Sequence, residues 1–268
     1  MERIDIRTII ESKVPGYFGR YPLFISNFII KILTKTLHLN EINEFLEQHN
    51  DKYGFEFIDE LFDYLDFSFM VSSQDRLKIP SEGKLICVAN HPLGALDGLA
   101  ILRAIGTIRQ DVKIVANDVL MSIDNLKDLF LPYDIFSTRA QRSRLMGIKD
   151  ALLNEEAIIF FPAAEVSRLT FRGIRDKNWL NGPIYFAKKY QVPILPTFIK
   201  AKNSMLFYII SLLNKNASMF LLAREILYKR KKTIRIKGNQ RTRIHKVWRI
   251  PELPHPLPNP HQKSMVLG

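Results

Sequence analysis

The chain has 268 residues, of which 47% are hydrophobic and 25% charged, a balance that excludes an extensively disordered protein. Lysine and arginine outnumber aspartate and glutamate by 39 to 27, so the net charge of +12 calls for an acidic partner or surface. The one cysteine, Cys87, excludes an intramolecular disulfide and a cysteine-based metal site. It lies within an apolar run, and we interpret it as a small buried core residue.

The N-terminus carries charges over residues 1–7, where a signal peptide would need an apolar core, so we expect no secretion signal. No stretch reaches the roughly 18 uncharged apolar residues expected of a membrane-spanning helix. Shorter apolar runs cover residues 24–33, 205–213 and 217–223. These runs are suited to the interface of a bilayer, although residues 205–223 also fit a core helix.

The first seventy residues are predicted to be helical, because apolar residues recur at three- and four-residue spacing, as in Ile42, Phe45 and Leu46. A Pro-Ser-Glu-Gly loop at residues 80–83 follows. We predict an N-terminal helical segment over residues 1–70, an α/β domain over 71–250 and a Pro-rich tail over 251–268.

After the loop, strand and helix patterns alternate. We predict strands at 84–89, 112–116, 134–137, 157–161 and 193–199, and helices at 94–105, 119–130, 142–153 and 179–190. A helix or helix pair over 204–228 and a strand at 233–237 complete the pattern. The fold class is therefore α/β, with a mostly parallel sheet flanked by helices. In such a sheet, functional sites form beyond the carboxyl ends of the strands.

The first motif with chemical content is Asn-His-Pro-Leu-Gly-Ala-Leu-Asp-Gly at residues 90–98, where a buried strand is predicted to give way to a helix. The helix would bring Asp97 back toward His91. A carboxylate bound to one ring nitrogen leaves the other free to act as a base toward a hydroxyl, as in a Ser-His-Asp triad. The alternative interpretation is a helix-capping loop with a structural histidine.

The second motif, Phe-Phe-Pro-Ala-Ala-Glu-Val-Ser-Arg at residues 160–168, also follows a predicted buried strand. Glu165, Ser167 and Arg168 are expected near the same sheet edge as His91. An arginine can hold a phosphate or carboxylate with two hydrogen bonds, and a glutamate can accept one from a hydroxyl. The alternative is an ordinary loop with a surface salt bridge.

A third motif, Val-Pro-Ile-Leu-Pro, occupies residues 192–196. In order and spacing the three motifs resemble those of glycerolipid acyltransferases of the lysophosphatidic acid acyltransferase (PlsC-like) type. That family carries Asn-His-x4-Asp, Phe-Pro-Glu-Gly-Thr-Arg-Ser and Val-Pro-Ile-x-Pro motifs. The resemblance covers roughly residues 70–240.

Two departures point to one branch of that superfamily. Five residues rather than four separate His91 from Asp97, and Glu165 comes later than the family's acidic residue, with no glycine after it. These variants look like the hemolysin-related branch, which includes enzymes that O-acylate lyso-ornithine or lyso-glycine lipids. By this resemblance, the family's acceptor-binding arginine corresponds to Arg139, within Phe-Ser-Thr-Arg at 136–139. The alternative interpretation of that region is a solvated helix start.

The resemblance implies an O-acyltransferase that needs no metal or bound cofactor. It would move a fatty acyl group from acyl-CoA or acyl-acyl-carrier protein to the hydroxyl of a lysolipid, of lysophosphatidate type or a lyso-amino-acid lipid. His91 and Asp97 would be catalytic, and Glu165, Ser167, Arg168 and Arg139 would bind substrate. The protein would be peripheral, at the cytoplasmic face of the membrane. The basic run at 229–232 would meet the anionic membrane surface, or form a solvated basic face.

Two other functions remain open on the sequence. A lipid or thioester hydrolase is disfavoured because no Gly-x-Ser-x-Gly motif occurs and the cysteine lies inside a predicted strand. A non-catalytic protein could bind membranes or nucleic acid through the basic C-terminal region. We expect no nucleic-acid partner, because the chain shows no zinc-finger or RNA-recognition motif.

Overall fold

The computed structural model describes residues 5–13, 16–20, 22–116, 121, 123–132 and 138–238. Its helices are α1 (Ile6–Lys13), α2 (Leu23–Thr36), α3 (Leu39–Gln48), α4 (Gly54–Tyr64), α5 (Ser73–Arg76), α6 (Ala95–Gly106), α7 (Thr138–Leu153), α8 (Gly182–Tyr190), α9 (Met205–Leu213) and α10 (Lys215–Tyr228). Its strands are β1 (Ser68–Val71), β2 (Leu85–Ala89), β3 (Val112–Ala116), β4 (Phe130–Pro132), β5 (Ala157–Phe160), β6 (Arg168–Thr170), β7 (Gly173–Arg175), β8 (Ile194–Lys200) and β9 (Thr233–Gly238).

Seven strands form one sheet in the order β1-β9-β8-β2-β5-β3-β4. Every pair is parallel except β8 with β9. The predicted α/β class with a mostly parallel sheet is confirmed. Because β2 lies between β5 and β8, the loops that follow these three strands meet at one edge of the sheet. The three sequence motifs follow β2, follow β5 and enter β8, so the topology gathers them in the middle of the sheet.

Strand β2 is buried along its whole length because helices cover both faces of the sheet. Cys87 and its alternate neighbours pack with α4 and α6. Ile86 and Val88 point the other way and pack with α7 and α8. The predicted burial of Cys87 is confirmed: its side chain is 1% exposed and its sulfur lies 3.2 Å from the hydroxyl oxygen of Thr197. Burial raises the pKa of the Cys87 thiol to about 12.

Two differences from the predicted elements concern the middle of the chain. Within the helix predicted at 119–130, Met121 is helical, but the α-helix prediction is wrong over residues 124–130, which form a 3₁₀ helix at Asp124–Leu129 and then enter strand β4. The side chain of Asn125 donates to the backbone carbonyls of His49 (3.0 Å) and Lys52 (2.6 Å), which ties this short turn to the α3–α4 connection. The strand predicted at 134–137 lies outside the described residues, and the antiparallel hairpin β6–β7 was not predicted.

Helices α3 and α4 share one hydrophobic core with the sheet, whereas α1 and α2 pack in a separate cluster against α10. Strand β1 crosses the boundary predicted at residue 70 and pairs with β9 in parallel. Phe57 and Ile58 of α4 are almost completely buried in the cluster that also contains α6 and β2. The predicted Pro-rich tail at 251–268 lies outside the described residues.

Two helices expose apolar faces to solvent. In α9 the side chains of Phe207 and Tyr208 are fully buried, and those of its other face are exposed, namely Met205 (61%), Leu206 (43%), Ile209 (50%), Leu212 (64%) and Leu213 (80%). Helix α2 exposes Leu23 (74%), Phe24 (74%), Phe28 (63%) and Ile32 (47%). No helix among the described residues is long and apolar enough to cross a bilayer.

A testable prediction follows from the way Asn90 joins β2 to β8. The Asn90 amide accepts from the backbone N–H of Ile199 (2.7 Å) and donates to the carbonyl of Ile199 (3.0 Å). Asn90→Ala leaves both backbone groups without a partner, which should lower the free energy of unfolding by about 1–3 kcal/mol in urea titrations. Asn90→Asp keeps only the acceptor oxygens, so its free energy of unfolding should lie between those of the wild type and Asn90→Ala. A wild-type midpoint for Asn90→Ala would contradict this role.

Candidate active site

His91 lies directly after β2, at the carboxyl edge of the sheet, and its main chain is held on both sides. Its carbonyl accepts from the backbone N–H of Ser167 (2.7 Å), in the loop after β5. Its own N–H donates to Oδ1 of Asp176 (3.4 Å). The side chain is 19% exposed, so the ring reaches solvent at this edge.

Asp97 lies in the first turn of α6, and its side chain is completely buried. Oδ2 of Asp97 accepts from the backbone N–H groups of Leu93 (2.7 Å) and Gly94 (3.4 Å), so the carboxylate caps its own helix. Oδ1 lies 3.0 Å from Nδ1 of His91, and neither of these two atoms has another polar partner among the described residues. The predicted His91–Asp97 contact is therefore present in the structure.

The five-residue spacing between His91 and Asp97 is accommodated by the turn before α6. Gly94 has φ +96°, a conformation that glycine adopts readily and other residues do not. A Cβ added at Gly94 would also lie 3.4 Å from the side chain of Leu222 in α10. The glycine thus reverses the chain tightly enough for Asp97 to return to the imidazole.

The environment of His91 favours the protonated ring. Burial lowers the pKa of His91, but the Asp97 carboxylate 3.0 Å away and, less strongly, the charge of Asp176 outweigh it. The net pKa is raised above the ordinary value of 6.5. Because Nδ1 faces Asp97, Nε2 is the nitrogen left for an external proton, and it has no hydrogen bond among the described residues.

The imidazole is also fixed from one face by an aromatic ring. Phe161 stacks on His91 with ring centroids 4.1 Å apart and an angle of 25° between the planes. Phe161 in turn packs over Gly98, where an added Cβ would lie 3.5 Å from the phenyl ring and 3.0 Å from Ile114. The Phe161 ring thus contacts both His91 and the position of Gly98 in α6.

Glu165 lies in ion pairs. Its two carboxylate oxygens lie 2.5 Å from Nζ of Lys215 and 3.6 Å from Nζ of Lys177. Burial alone would raise the pKa of Glu165, but the two lysines lower it by more, so the net pKa lies below the usual value. The preceding Ala164 has φ +56°, in the left-handed region. Aligned on Phe-Pro, it stands where the resembled motif has glycine.

Ser167 is buried, and its hydroxyl donates to Oδ1 of Asp176. The structure therefore gives Ser167 an internal partner, and a contact with substrate remains a prediction. Arg139 lies in α7, and its side chain is outside the part of the chain that the structure describes. Its predicted role in binding acceptor therefore also remains a prediction.

Arg168 is turned toward the α9–α10 hairpin. Its Nη1 donates to the hydroxyls of Ser211 (2.8 Å) and Ser218, and its guanidinium lies 5.2 Å from the ring centre of Phe207. Nε has no hydrogen-bond partner, and no carboxylate lies within ion-pair distance among the described residues. Burial lowers the pKa of Arg168. It is a half-buried cation whose hydrogen-bond partners are neutral, while the charge of Glu165 acts on it from beyond ion-pair distance.

The basic run at 229–232 is only partly a surface feature. Lys229 is buried and lies 3.2 Å from the carboxylate of Glu225, and Arg230 pairs with Glu41. The expectation that the whole run meets a membrane or solvent is therefore wrong for Lys229, whose charge is compensated inside the protein, whereas the side chain of Arg230 is 40% exposed. Lys231 and Lys232 remain exposed.

Asp176 was missed by the sequence reasoning. It follows β7 and accepts from His91, Ser167 and Nε1 of Trp179 (2.9 Å). Its neighbours Arg175 and Lys177 give it the local pattern of an exposed charged loop. Only the β6–β7 hairpin brings it back to His91, and that hairpin has a weak sequence signal. No cluster of three or more potential metal ligands is found among the described residues.

Comparisons with known proteins give consistent relatives. A family model described as acyltransferase matches residues 10–254. A lyso-glycine lipid O-acyltransferase of Bacteroides thetaiotaomicron is 30% identical over 240 residues, which cover 87% of this chain and 86% of that protein. One from Phocaeicola vulgatus is 28% identical over 237 residues, covering 86% and 82%. The crystal structure of the 1-acyl-sn-glycerophosphate acyltransferase PlsC from Thermotoga maritima is 18% identical and covers 88% of this chain and 85% of that one. Its TM-score of 0.39 is too low to establish a common fold.

The electrostatics of the His91–Asp97 pair give a prediction that needs no substrate. Asp97→Asn removes the charge that raises the pKa of His91, so the ring should titrate at lower pH than in the wild type. Nuclear magnetic resonance titration of the imidazole signals measures this, with His91→Gln to identify the resonance. Asp59→Asn, which alters a pair with Arg103 instead, is the control. An unchanged pKa in folded Asp97→Asn would contradict the assignment.

Proposed function

The chain belongs to the acyltransferase family, and we propose that it moves a fatty acyl group from a thioester donor to the hydroxyl of a lysolipid, with His91 as general base. The observation that carries the proposal is the 3.0 Å contact between Nδ1 of His91 and the buried carboxylate of Asp97. This pair lies at the carboxyl end of the central strand β2, where sites form in parallel sheets.

The proposed reaction follows from the two faces of the imidazole. Nε2 of His91 takes the proton of the acceptor hydroxyl as the hydroxyl oxygen attacks the thioester carbonyl. The tetrahedral intermediate collapses to the ester, and the carbon–sulfur bond breaks. The imidazolium returns its proton to the leaving thiolate. Asp97 stays ionised throughout and stabilises the imidazolium, a role suited to a carboxylate fixed by two backbone N–H groups.

Arg168 is the proposed partner of the acceptor headgroup. A half-buried cation that contacts only hydroxyls, a sulfur and a ring gains from an anionic ligand. The carboxylate of a lyso-glycine lipid and the phosphate of lysophosphatidate both supply one. The names of the two bacterial relatives make the lyso-glycine lipid the first acceptor to test. Glu165 and Arg139 remain proposed contributors to the same acceptor site.

The donor is proposed to be acyl-CoA or an acyl carrier protein. The net charge of +12 suits both, since coenzyme A carries phosphates and carrier proteins are acidic. No bound cofactor enters the proposed chemistry, because the thioester supplies the activated acyl group. Parallel assays with the two donors decide between them.

We further propose that the protein docks peripherally on the cytoplasmic face of a membrane. The exposed apolar faces of α2 and α9 would gain free energy by leaving water for the apolar region of a bilayer. Lys31, Lys35 and Lys215 lie exposed on or beside these helices and suit anionic headgroups. A lysolipid acceptor resides in the bilayer, so docking delivers the enzyme to its substrate.

The first functional prediction concerns the base. His91→Ala should lower kcat/KM for acyl transfer by roughly a hundredfold or more, as expected for a lost general base. Mass spectrometry of the lipid product measures this, with His38→Ala as a control at an exposed histidine. A folded His91→Ala variant with an unchanged rate contradicts the proposal. Free fatty acid in place of acylated lipid would indicate a hydrolase instead.

The second functional prediction separates acceptor binding from chemistry. Arg168→Ala should raise the acceptor KM more than Asp97→Asn does, because Asp97 acts only through the imidazole. Arg172→Ala, four residues away in the exposed hairpin turn, should leave the acceptor KM unchanged. Equal acceptor KM values for Arg168→Ala and Asp97→Asn would count against a headgroup role for Arg168.

The third functional prediction tests docking. Replacing Leu212 and Leu213 together by Asp should lower binding to phosphatidylglycerol vesicles by at least about tenfold, because each buried leucine contributes roughly 1.5–3 kcal/mol. Vesicle flotation measures the bound fraction. Leu77→Asp is the matched control, since Leu77 is 86% exposed but lies outside α2 and α9. Wild-type flotation of the double variant would show that α9 does not enter the bilayer.

A further inference from the structure

Asp176 stands at the meeting point of three segments around His91. Its Oδ1 accepts from the N–H of His91 (3.4 Å), after β2, and from the hydroxyl of Ser167, after β5. Its Oδ2 accepts from Nε1 of Trp179 (2.9 Å), before α8. We propose that Asp176 is a positioning residue for acyl transfer, whose carboxylate fixes the His91 main chain against the loop after β5.

The contacts form a closed loop of hydrogen bonds. Ser167 donates its N–H to the carbonyl of His91 (2.7 Å), and its hydroxyl donates to the oxygen of Asp176 that also binds the N–H of His91. Displacing any of the three therefore strains the other two contacts. Since a sub-ångström change in ring position already weakens proton transfer, this loop matters for the rate.

A carboxylate suits this place better than a neutral group does. Three donors point at Asp176, and only an ionised carboxyl offers two oxygens that accept and donate nothing. Its negative charge acts on the imidazole together with that of Asp97, and both stabilise the imidazolium. Asp97 and Asp176 are the charged groups of the described residues that act on the ring, and they approach it from α6 and from the segment after β7.

This role explains why the hairpin β6–β7 intervenes between β5 and α8. The hairpin leaves the site at Arg168 and returns at Arg175, so that Asp176 reaches the main chain of His91. Farther on, the N–H of Leu180 donates to the carbonyl of Pro162 (2.9 Å). The segment after the hairpin is thus held to the loop after β5 at two points, and Asp176 is the one that also touches His91.

The test is Asp176→Asn in the full-length protein, assayed with the acceptor and donor that the wild type uses. The amide keeps the shape and an acceptor oxygen, but it loses the charge and meets the Trp179 N–H with a second donor. We expect kcat to fall about tenfold with KM values within twofold. Asp75→Asn, at a carboxylate that pairs with Lys78 instead, is the matched control and should retain wild-type values.

The pH profile distinguishes positioning from mere stability. The base must be neutral, so kcat/KM rises with pH through the pKa of His91 in the free enzyme. Losing a charge that raises that pKa should move this rise to lower pH in Asp176→Asn. A purely structural residue would lower the melting temperature and leave the position of the rise unchanged. Wild-type kcat with an unmoved profile in folded Asp176→Asn overturns the proposal.

A second variant keeps the test decisive should Asp176→Asn not fold. Asp176→Glu retains the charge but shifts it by one methylene, so kcat should fall while the profile stays in place; a wild-type kcat in this variant overturns the proposal. The inference rests on His91 being the base, which His91→Ala tests separately. If His91→Ala is inactive and both Asp176 variants are wild type, only the role of Asp176 is lost. If His91→Ala is active, the proposed function itself fails.

Discussion

The completely buried carboxylate of Asp97 is the constraint on which the site depends. A buried charge is tolerated only when hydrogen bonds and an opposite charge stabilise it. Asp97 obtains these from two backbone N–H groups of the turn before α6 and from the imidazole of His91. The turn must therefore be tight, which Gly94 permits through its positive φ, and the ring must face inward through Nδ1. The helix start, the turn and the orientation of the His91 ring satisfy one requirement together.

The order of the strands in the sheet brings the other segments of the site together. Residues 90–98 and 160–168 are far apart in the chain, but β2 and β5 are parallel neighbours, so the segments after their carboxyl ends converge. Residues 192–196 enter β8 and lie beside β2 itself. Two contacts then hold the loops to one another: the Asn90 side chain binds the main chain of β8, and the backbone N–H of Ser167 donates to the carbonyl of His91. The α9–α10 hairpin meets this region through Arg168 and through Lys215, which pairs with Glu165. The apolar face of α9 and the base are thus connected through only a few side chains.

Local patterns predicted what depends on local forces. The buried strands β2, β3, β5 and β8 were predicted from short apolar runs that alternate with helical patterns, and the His91–Asp97 contact was predicted from a strand that ends where a helix begins. The helix predicted at 119–130 was wrong over residues 124–130 because the tertiary contacts of Asn125 outweigh periodicity there. Asp176 escaped prediction because its role arises from distant donors. For the same reason, the hydroxyl partners of Arg168 and the internal pairing of Lys229 were not visible in the sequence.

The chemical state of Cys87 bears on how the acyl group travels. Enzymes that handle thioesters can store the acyl chain on a cysteine, but only the thiolate is nucleophilic. Burial raises the pKa of the Cys87 thiol to about 12, so the 1% exposed side chain stays a neutral thiol at pH 7. An acyl-enzyme intermediate on Cys87 is therefore disfavoured. Alkylating reagents such as N-ethylmaleimide should consequently spare the folded enzyme.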